Sequence, residues 1–259
     1  MGKPNMYQNT AWLYDYDNRD HLTDDISFYV NYLIKADDEV LELGCGTGRV
    51  ALKLASEGFS VTGLELSDTM IQAFRSKLQK MNDEVLSNVN LIKGDMASFN
   101  LDKKYGLIIA PFRAFQSLTE DEDIKNSIDC IRRHLKENGL FIVNAFQPFK
   151  QLNESWCYPE TLQWETVDKS TGCKIAKKHW GDKIDTKNQI IYPHYAFEIT
   201  HPDGKFQRIQ DDLKLKYYYY NQLKKYLLDG GLAIVEEYGW YDKSPIENGR
   251  ELIFVCKKV

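Results

Sequence analysis

The stretch VLELGCGTGRV, Val40 to Val50, constrains the fold more than any other part of the chain. An apolar, extended run ends in three glycines at alternate positions, Gly44, Gly46 and Gly48, and then enters a helical pattern. Glycine exposes backbone and disfavours helix, so this spacing is costly unless the chain turns sharply or something lies against it. A strand, a glycine turn and a helix in that order open a parallel α/β unit. In such a unit ligands bind beyond the carboxyl ends of the strands, where the strand order reverses.

From residue 20 to 146 the rest of the pattern agrees with this start. DDISFYVNYLI sets Ile26, Tyr29, Val30, Leu33 and Ile34 on one helical face. RVALKLASEG gives a second helix ended by Gly58, and SVTGLELS a second strand. Ser67 or Asp68 then caps a helix bearing Met70, Phe74, Leu78 and Met81. NVNLIKGD and YGLIIAPF read as the third and fourth strands and GLFIVNAF as the fifth. Thr119 with Glu122 predicts a capping box ahead of the stripe Ile124, Ile128, Ile131 and Leu135. Apolar strands alternating with helices mean a mostly parallel sheet covered on both faces.

The texture changes after Pro148. From about Glu160 to Tyr217, strand-like runs are punctuated by the turns STG, DTKN and HPDG, which predicts an antiparallel meander. A helix, YNQLKKYLLDGG, and two strands, LAIVEEYGW and RELIFVCKK, then resume the first pattern. The expected architecture is α/β: a Rossmann-like, mostly parallel seven-stranded sheet with helices on both faces, interrupted by an inserted antiparallel β-meander. Residues 1–147 and 218–259 form the α/β domain with an N-terminal helical cap, and 148–217 form a lid.

Composition narrows the function. Net charge is −5, with a pI near 5.6, so no basic field gathers a nucleic-acid backbone, although a local patch for RNA stays open. The five cysteines are odd in number and include no C-x-x-C pair, the mark of reduced thiols and a cytoplasmic setting. No apolar run approaches ~18 residues, so no membrane span is expected. The five histidines show no metal-binding spacing, and no metal is expected. A dinucleotide loop needs glycine at position 49, where the chain has Arg49, and a P-loop needs a lysine that is missing.

The residues VLELGCGTGRVALKLASEGFSVTGLELSDTM resemble motifs I and II of the class I S-adenosylmethionine-dependent methyltransferases. The resemblance runs on through IKGDMASF and YGLIIAPFRAFQSL to HLKENGLFIVNAF, covering residues 38 to 146 strongly and the last forty weakly. The insert after the fifth strand is similar in placement to that of small-molecule N-methyltransferases such as those for amino sugars. The resemblance implies S-adenosyl-L-methionine as cofactor, with S-adenosyl-L-homocysteine as product.

It assigns Gly44, Cys45, Gly46 and Gly48 to the cofactor loop and Glu65 to the ribose hydroxyls. Asp95 and Met96 go to adenine, with Leu66 and Met70 on its other face, and Ala110 lies beside the methionine moiety. Cys45 reads as a small buried side chain rather than a nucleophile, since no base accompanies it. Tyr7, Trp12, Tyr14 and Tyr16 precede the fold, and Tyr14 is expected to close over the cofactor. Ring faces attract a sulfonium charge.

Ala110-Pro111-Phe112-Arg113 lacks the Asn/Asp-Pro-Pro-aromatic pattern of enzymes that methylate exocyclic base amines or glutamine amide. Arg113 either binds an acidic group of the acceptor or forms a surface ion pair. Methyl transfer is an in-line displacement that alignment and dryness largely catalyse, so no catalytic residue is identified. The expectation is a small-molecule methyltransferase, with a homodimer allowed and no nucleic-acid or membrane partner. The alternatives are an RNA or protein methyltransferase and a non-catalytic cofactor-binding protein.

Overall fold

The computed structural model describes residues 6–17, 23–36 and 39–259. The first strand, β1 (Val40–Leu43), is buried throughout and alternates its side chains between two layers. Leu41 and Leu43 join one core with Ile108, Phe141 and Val143. Val40 enters the other with Leu107, Ile109 and Ile142. Helix α1 (Asp24–Ala36) covers the second core with Tyr29, Tyr32 and Leu33, and α2 (Arg49–Ser56) adds Val50 and Leu54. The side chain of Ile34 and residue His21 lie outside the described set.

The chain proceeds through β2 (Val61–Glu65), α3 (Asp68–Leu78), α4 (Asp83–Asn88), β3 (Val89–Lys93) and β4 (Tyr105–Ala110). Helix α5 (Asp121–His134) and β5 (Leu135–Phe146) follow. The insert is β6 (Tyr158–Val167), β7 (Lys174–Asp185), β8 (Ile190–Thr200), β9 (Phe206–Asp212) and β10 (Leu215–Lys216). Helix α6 (Tyr220–Asp229), β11 (Leu232–Tyr238) and β12 (Glu251–Lys258) complete the main domain. The large sheet has seven strands in the order β11-β12-β5-β4-β1-β2-β3. Its core is parallel, and β12 runs antiparallel between β5 and β11. Strand order reverses at β1, between β2 and β4, so the glycine turn stands where a ligand crevice is expected.

The local reasons are those the sequence offers, with three differences. Ser67 caps α3 by accepting the Met70 N–H. Helix α5 buries Ile124, Ile128 and Ile131, on the order of 1.5–3 kcal/mol each. The predicted capping box is absent, however. Glu120 occupies the N-cap, which makes Glu122 the second helical residue, and the Thr119 hydroxyl donates to Glu120 instead. Asp121, Glu122 and Asp123 supply the favourable charge of the first turn in its place. The helix expected to run through Met81 ends at Leu78, and the short α4, capped by Asn82 onto the Val85 N–H, follows it. Strand β5 starts at Leu135 rather than Gly139, across a register shift against β4.

The insert is an antiparallel sheet in the order β10-β8-β7-β6, with β9 also paired to β8. Gly172 and Gly204 supply the left-handed backbone of two of its turns, and Asp185 holds Asn188 in the third. One face meets the N-terminal segment. Leu13, in a 3-10 turn at Ala11–Tyr16, packs with Ile175, Phe197, Ile199 and Cys173. The buried Asp211 carboxylate accepts the Asn9 and Thr10 N–H groups at 2.8–3.2 Å, the Thr10 hydroxyl at 2.6 Å and the Asn9 amide at 2.9 Å. The same segment reaches the main domain through Asp15, which takes the Thr47 hydroxyl at 2.7 Å and the Lys77 ammonium at 2.8 Å.

Residues 6–17 are therefore a strap between two sheets, with Asp211 as its anchor. Asp211→Ala removes these acceptors and leaves buried donors unpaired. It should cost roughly 2–3 kcal/mol, as for hydrogen bonds to a charged group, read from the urea denaturation midpoint. A loss below about 0.5 kcal/mol would mean the strap is held by apolar packing alone.

Candidate active site

The centre of the site is the contact between the turns after β1 and β2. Glu65 ends β2, and its carboxylate accepts the Gly46 N–H at 2.9 Å and the Ser67 N–H at 2.8 Å. Burial pushes the Glu65 carboxyl up, and these N–H groups, with that of Leu66, pull it back. Gly44, Gly46 and Gly48 all adopt left-handed backbone. A Cβ on Gly44 would lie 2.9 Å from both Met96 and Ala114, and one on Gly48 would lie 2.5 Å from the Phe74 ring. A Cβ on Gly46 meets nothing within 4 Å. Gly46 thus faces open space beside a carboxylate, the arrangement a ribose with two hydroxyls requires.

The sequence-predicted residues converge on this place to different degrees. Met96 packs on Gly44, and the loop after β3 is stitched to β2 by the Gly94 N–H on the Glu65 carbonyl. Asp95 accepts the Ala97 N–H at 2.8 Å. Leu66 is exposed, Met70 is buried, and Ala110 is buried at the end of β4. Cys45 is packed against Gly63, and burial drives its thiol well above the ordinary range, which suits a structural role. Tyr14 is half-buried, edge-on to Tyr7 at 5.4 Å. Burial raises its phenol, and Arg49 opposes the shift. Arg113 is ion-paired with Glu251, and its guanidinium lies 5.6 Å from the Phe146 ring.

Further groups belong to this region. Arg49 forms a bidentate pair with the buried Asp25 of α1 at 2.8 and 2.6 Å, and lies 5.1 Å over the Phe112 ring. Phe112 and Arg113 are consecutive non-glycine residues with φ of 52° and 66°. Such backbone costs of order 1–3 kcal/mol per residue and survives only where its surroundings enforce it. Here the Arg113 N–H donates to Asn144 Oδ1 at 3.2 Å, and the Asn144 amide donates to Glu251 at 2.9 Å. From the insert, Tyr195 lies opposite His179 and Asp211 in the sheet and within electrostatic reach of Tyr7, Tyr14 and Arg113. Lys177 sits 4.3 Å from its ring. The other insert aromatics divide. Trp164 and Phe197 join the core under Leu13, whereas Trp180 stacks on His194.

Glu42, the acidic residue of the glycine motif, is 2% exposed on β1. One of its oxygens takes the Ala51 N–H, and Oε2 has no partner among the described residues. Burial raises its carboxyl to about 8. No cluster of three metal-ligating side chains occurs among the described residues, and no helix there is long and apolar enough to cross a membrane.

A seven-stranded sheet in this order, with a glycine turn after β1 and a carboxylate closing β2, defines the class of S-adenosylmethionine-dependent methyltransferases. Residues 40–139 match the family described as a methyltransferase domain. A protein of Geobacillus sp. (strain WCH70) named as a methyltransferase is 23% identical over 220 residues, 85% of this chain and 84% of its own. The dTDP-3-amino-3,4,6-trideoxy-α-D-glucopyranose N,N-dimethyltransferase of Streptomyces venezuelae is 27% identical over 131 residues, 50% of this chain and 48% of that protein. The structure of the CcbJ methyltransferase from Streptomyces caelestis superposes with a TM-score of 0.80 at 23% identity over 100% of both chains, a likeness of fold. This chain carries a methyltransferase domain on the fold of the S-adenosylmethionine-dependent methyltransferases.

Calorimetric titration should show that Glu65→Ala weakens cofactor binding by about 1.5–3 kcal/mol, the range for a charged hydrogen-bond partner. Gly46→Val should abolish binding without unfolding the protein. Wild-type affinity in both variants would place the cofactor elsewhere. Glu42 yields a pH prediction. Its carboxyl is raised to about 8 in the folded protein but titrates near 4.3 when unfolded, so its effect favours the fold most at low pH. That stability is lost as pH rises from about 4.3 to about 8. Glu42→Gln should therefore melt progressively higher than wild type over that window and level off above it. A difference that does not change with pH would mean Glu42 is ionised throughout.

Proposed function

We propose that the enzyme methylates an amine on a small-molecule acceptor, an amino sugar being the foremost class, and that residues 148–217 act as the lid that forms the acceptor pocket. The observation that carries this reading is the convergence of Tyr7 and Tyr14 from the strap with Tyr195 from the insert, beside Arg49, Glu65 and Arg113. Phenols gathered in one place combine apolar ring faces with hydroxyls that can orient a hydroxylated ring. The relative acting on a dTDP-linked amino sugar supports an amine acceptor.

Methyl transfer breaks the sulfur–carbon bond as the acceptor nitrogen forms its own, and the product ammonium then releases a proton. The contributions of this chain are alignment and desolvation. Arg113, already committed to Glu251, supports the pocket wall and leaves its exposed face for an acceptor oxygen.

Release of S-adenosylhomocysteine, measured against nucleotide-linked amino sugars, phenols, carboxylic acids, transfer RNA and a protein extract, tests the reading. Turnover is expected with an amino sugar, and turnover with RNA or protein alone would overturn it. With the accepted amine, Tyr195→Phe should lower kcat/KM by roughly tenfold, the loss of one hydrogen bond, while cofactor affinity stays within about twofold. Unchanged kcat/KM would remove the insert from the acceptor site.

A further inference from the structure

We propose that Glu42 is the counter-charge of the cofactor site: it rests protonated in the ligand-free enzyme and gives up that proton when the cationic cofactor enters. The geometry is that of a group built for such an exchange. Glu42 lies at the carboxyl end of β1, two residues before Gly44, and pairs in the sheet with Gly63 and Ile109, neither of which offers a polar side chain. One oxygen is capped by the Ala51 N–H, and Oε2 is buried with no partner among the described residues. A buried carboxylate oxygen left unpaired costs several kcal/mol of lost solvation, and such a group gives up its charge instead.

The neighbours do not supply the missing charge. On α1, Asp25 adds a like charge, and Tyr29 is a neutral phenol beside it. From α2, Arg49 is attractive, but both arms of its guanidinium are bonded to Asp25. On β2, Glu65 is a second like charge, and in the glycine turn Cys45 is a buried thiol. Tyr241, from the segment between β11 and β12, faces the same ion pair as a neutral phenol. The outcome is a carboxyl held up to about 8 by burial.

S-adenosylmethionine brings a sulfonium and an ammonium into this acidic corner. A positive charge nearby favours the ionised carboxyl, so binding lowers the Glu42 pKa and releases one proton to solvent. No other bond changes. Affinity consequently rises with pH until the ligand-free group has ionised, near 8, and is flat above, up to the point where the cofactor's own amine titrates.

Calorimetric titration of S-adenosylmethionine at pH 7, in buffers of different ionisation enthalpy, counts the protons released. We expect about one per cofactor for the wild-type enzyme and close to none for Glu42→Gln, with the wild-type Kd falling by well over tenfold between pH 6 and pH 8 and that of the variant flat. Carbon-13 NMR of the Glu42 carboxyl gives a second reading that needs no substitution. It should report the neutral acid at pH 6.5 without cofactor and the carboxylate with it. Equal proton release in wild type and variant, or an ionised Glu42 without cofactor at pH 6.5, overturns the proposal and leaves the cofactor assignment standing. Failure to bind S-adenosylmethionine overturns both.

Discussion

A single carboxylate joins the two turns on which the site depends. Glu65 takes amide protons from Gly46 and Ser67, so the turn after β1 and the start of α3 hang on one side chain. The contact is possible only because the β1 turn runs through left-handed backbone at Gly44, Gly46 and Gly48. Side chains then lock it from outside. Met96 and Ala114 close on Gly44, Phe74 on Gly48, and Cys45 on Gly63, leaving the Gly46 flank open. The glycines are thus divided between packing and access. Two of them bring neighbouring elements close, and the third keeps a space clear beside the acid.

Around this contact the carboxyl edge of the sheet holds an unusual amount of buried charge. Asp25 with Arg49, and Glu251 with Arg113, are ion pairs in which the acid is buried. Such pairs add little net stability once desolvation is counted, but breaking one partner is costly, so they fix geometry. What Glu251 and Asn144 fix is the strained turn at Phe112 and Arg113, at the end of the strand next to the cofactor loop. Strain held in place by a buried network is characteristic of a surface that must present a side chain in one orientation.

The strap ties the insert to the main domain. Asp211 of the insert holds residues 9 and 10, and Asp15 holds the same segment to Thr47 in the glycine turn and to α3. The strap's Tyr14 and the insert's Tyr195 therefore stand on one mechanically linked body. Such linkage fixes the insert relative to the glycine turn.

Much of this was legible in the sequence, and the boundary is physical. Strands and helices of the main sheet follow from local periodicity, the insert's turns from glycine, aspartate and asparagine, and the glycine turn and Glu65 from a motif, while the hydrogen bond that joins Gly46 to Glu65 across 19 residues came only with the fold. Local rules failed where local groups competed. Glu120 displaced Thr119 as the cap of α5, and the short α4 hid between a longer helix and a strand. The sequence by itself determined the sheet, the cofactor turn and the acid that closes it, because each is written in short-range spacing. Only the tertiary structure decided that Asp211 would hold Thr10 across 201 residues and that Arg113 would meet Glu251 across 138. Those contacts join polar side chains on separate sheets and turns. Their partners are chosen by strand order and register, which no local pattern of residues encodes.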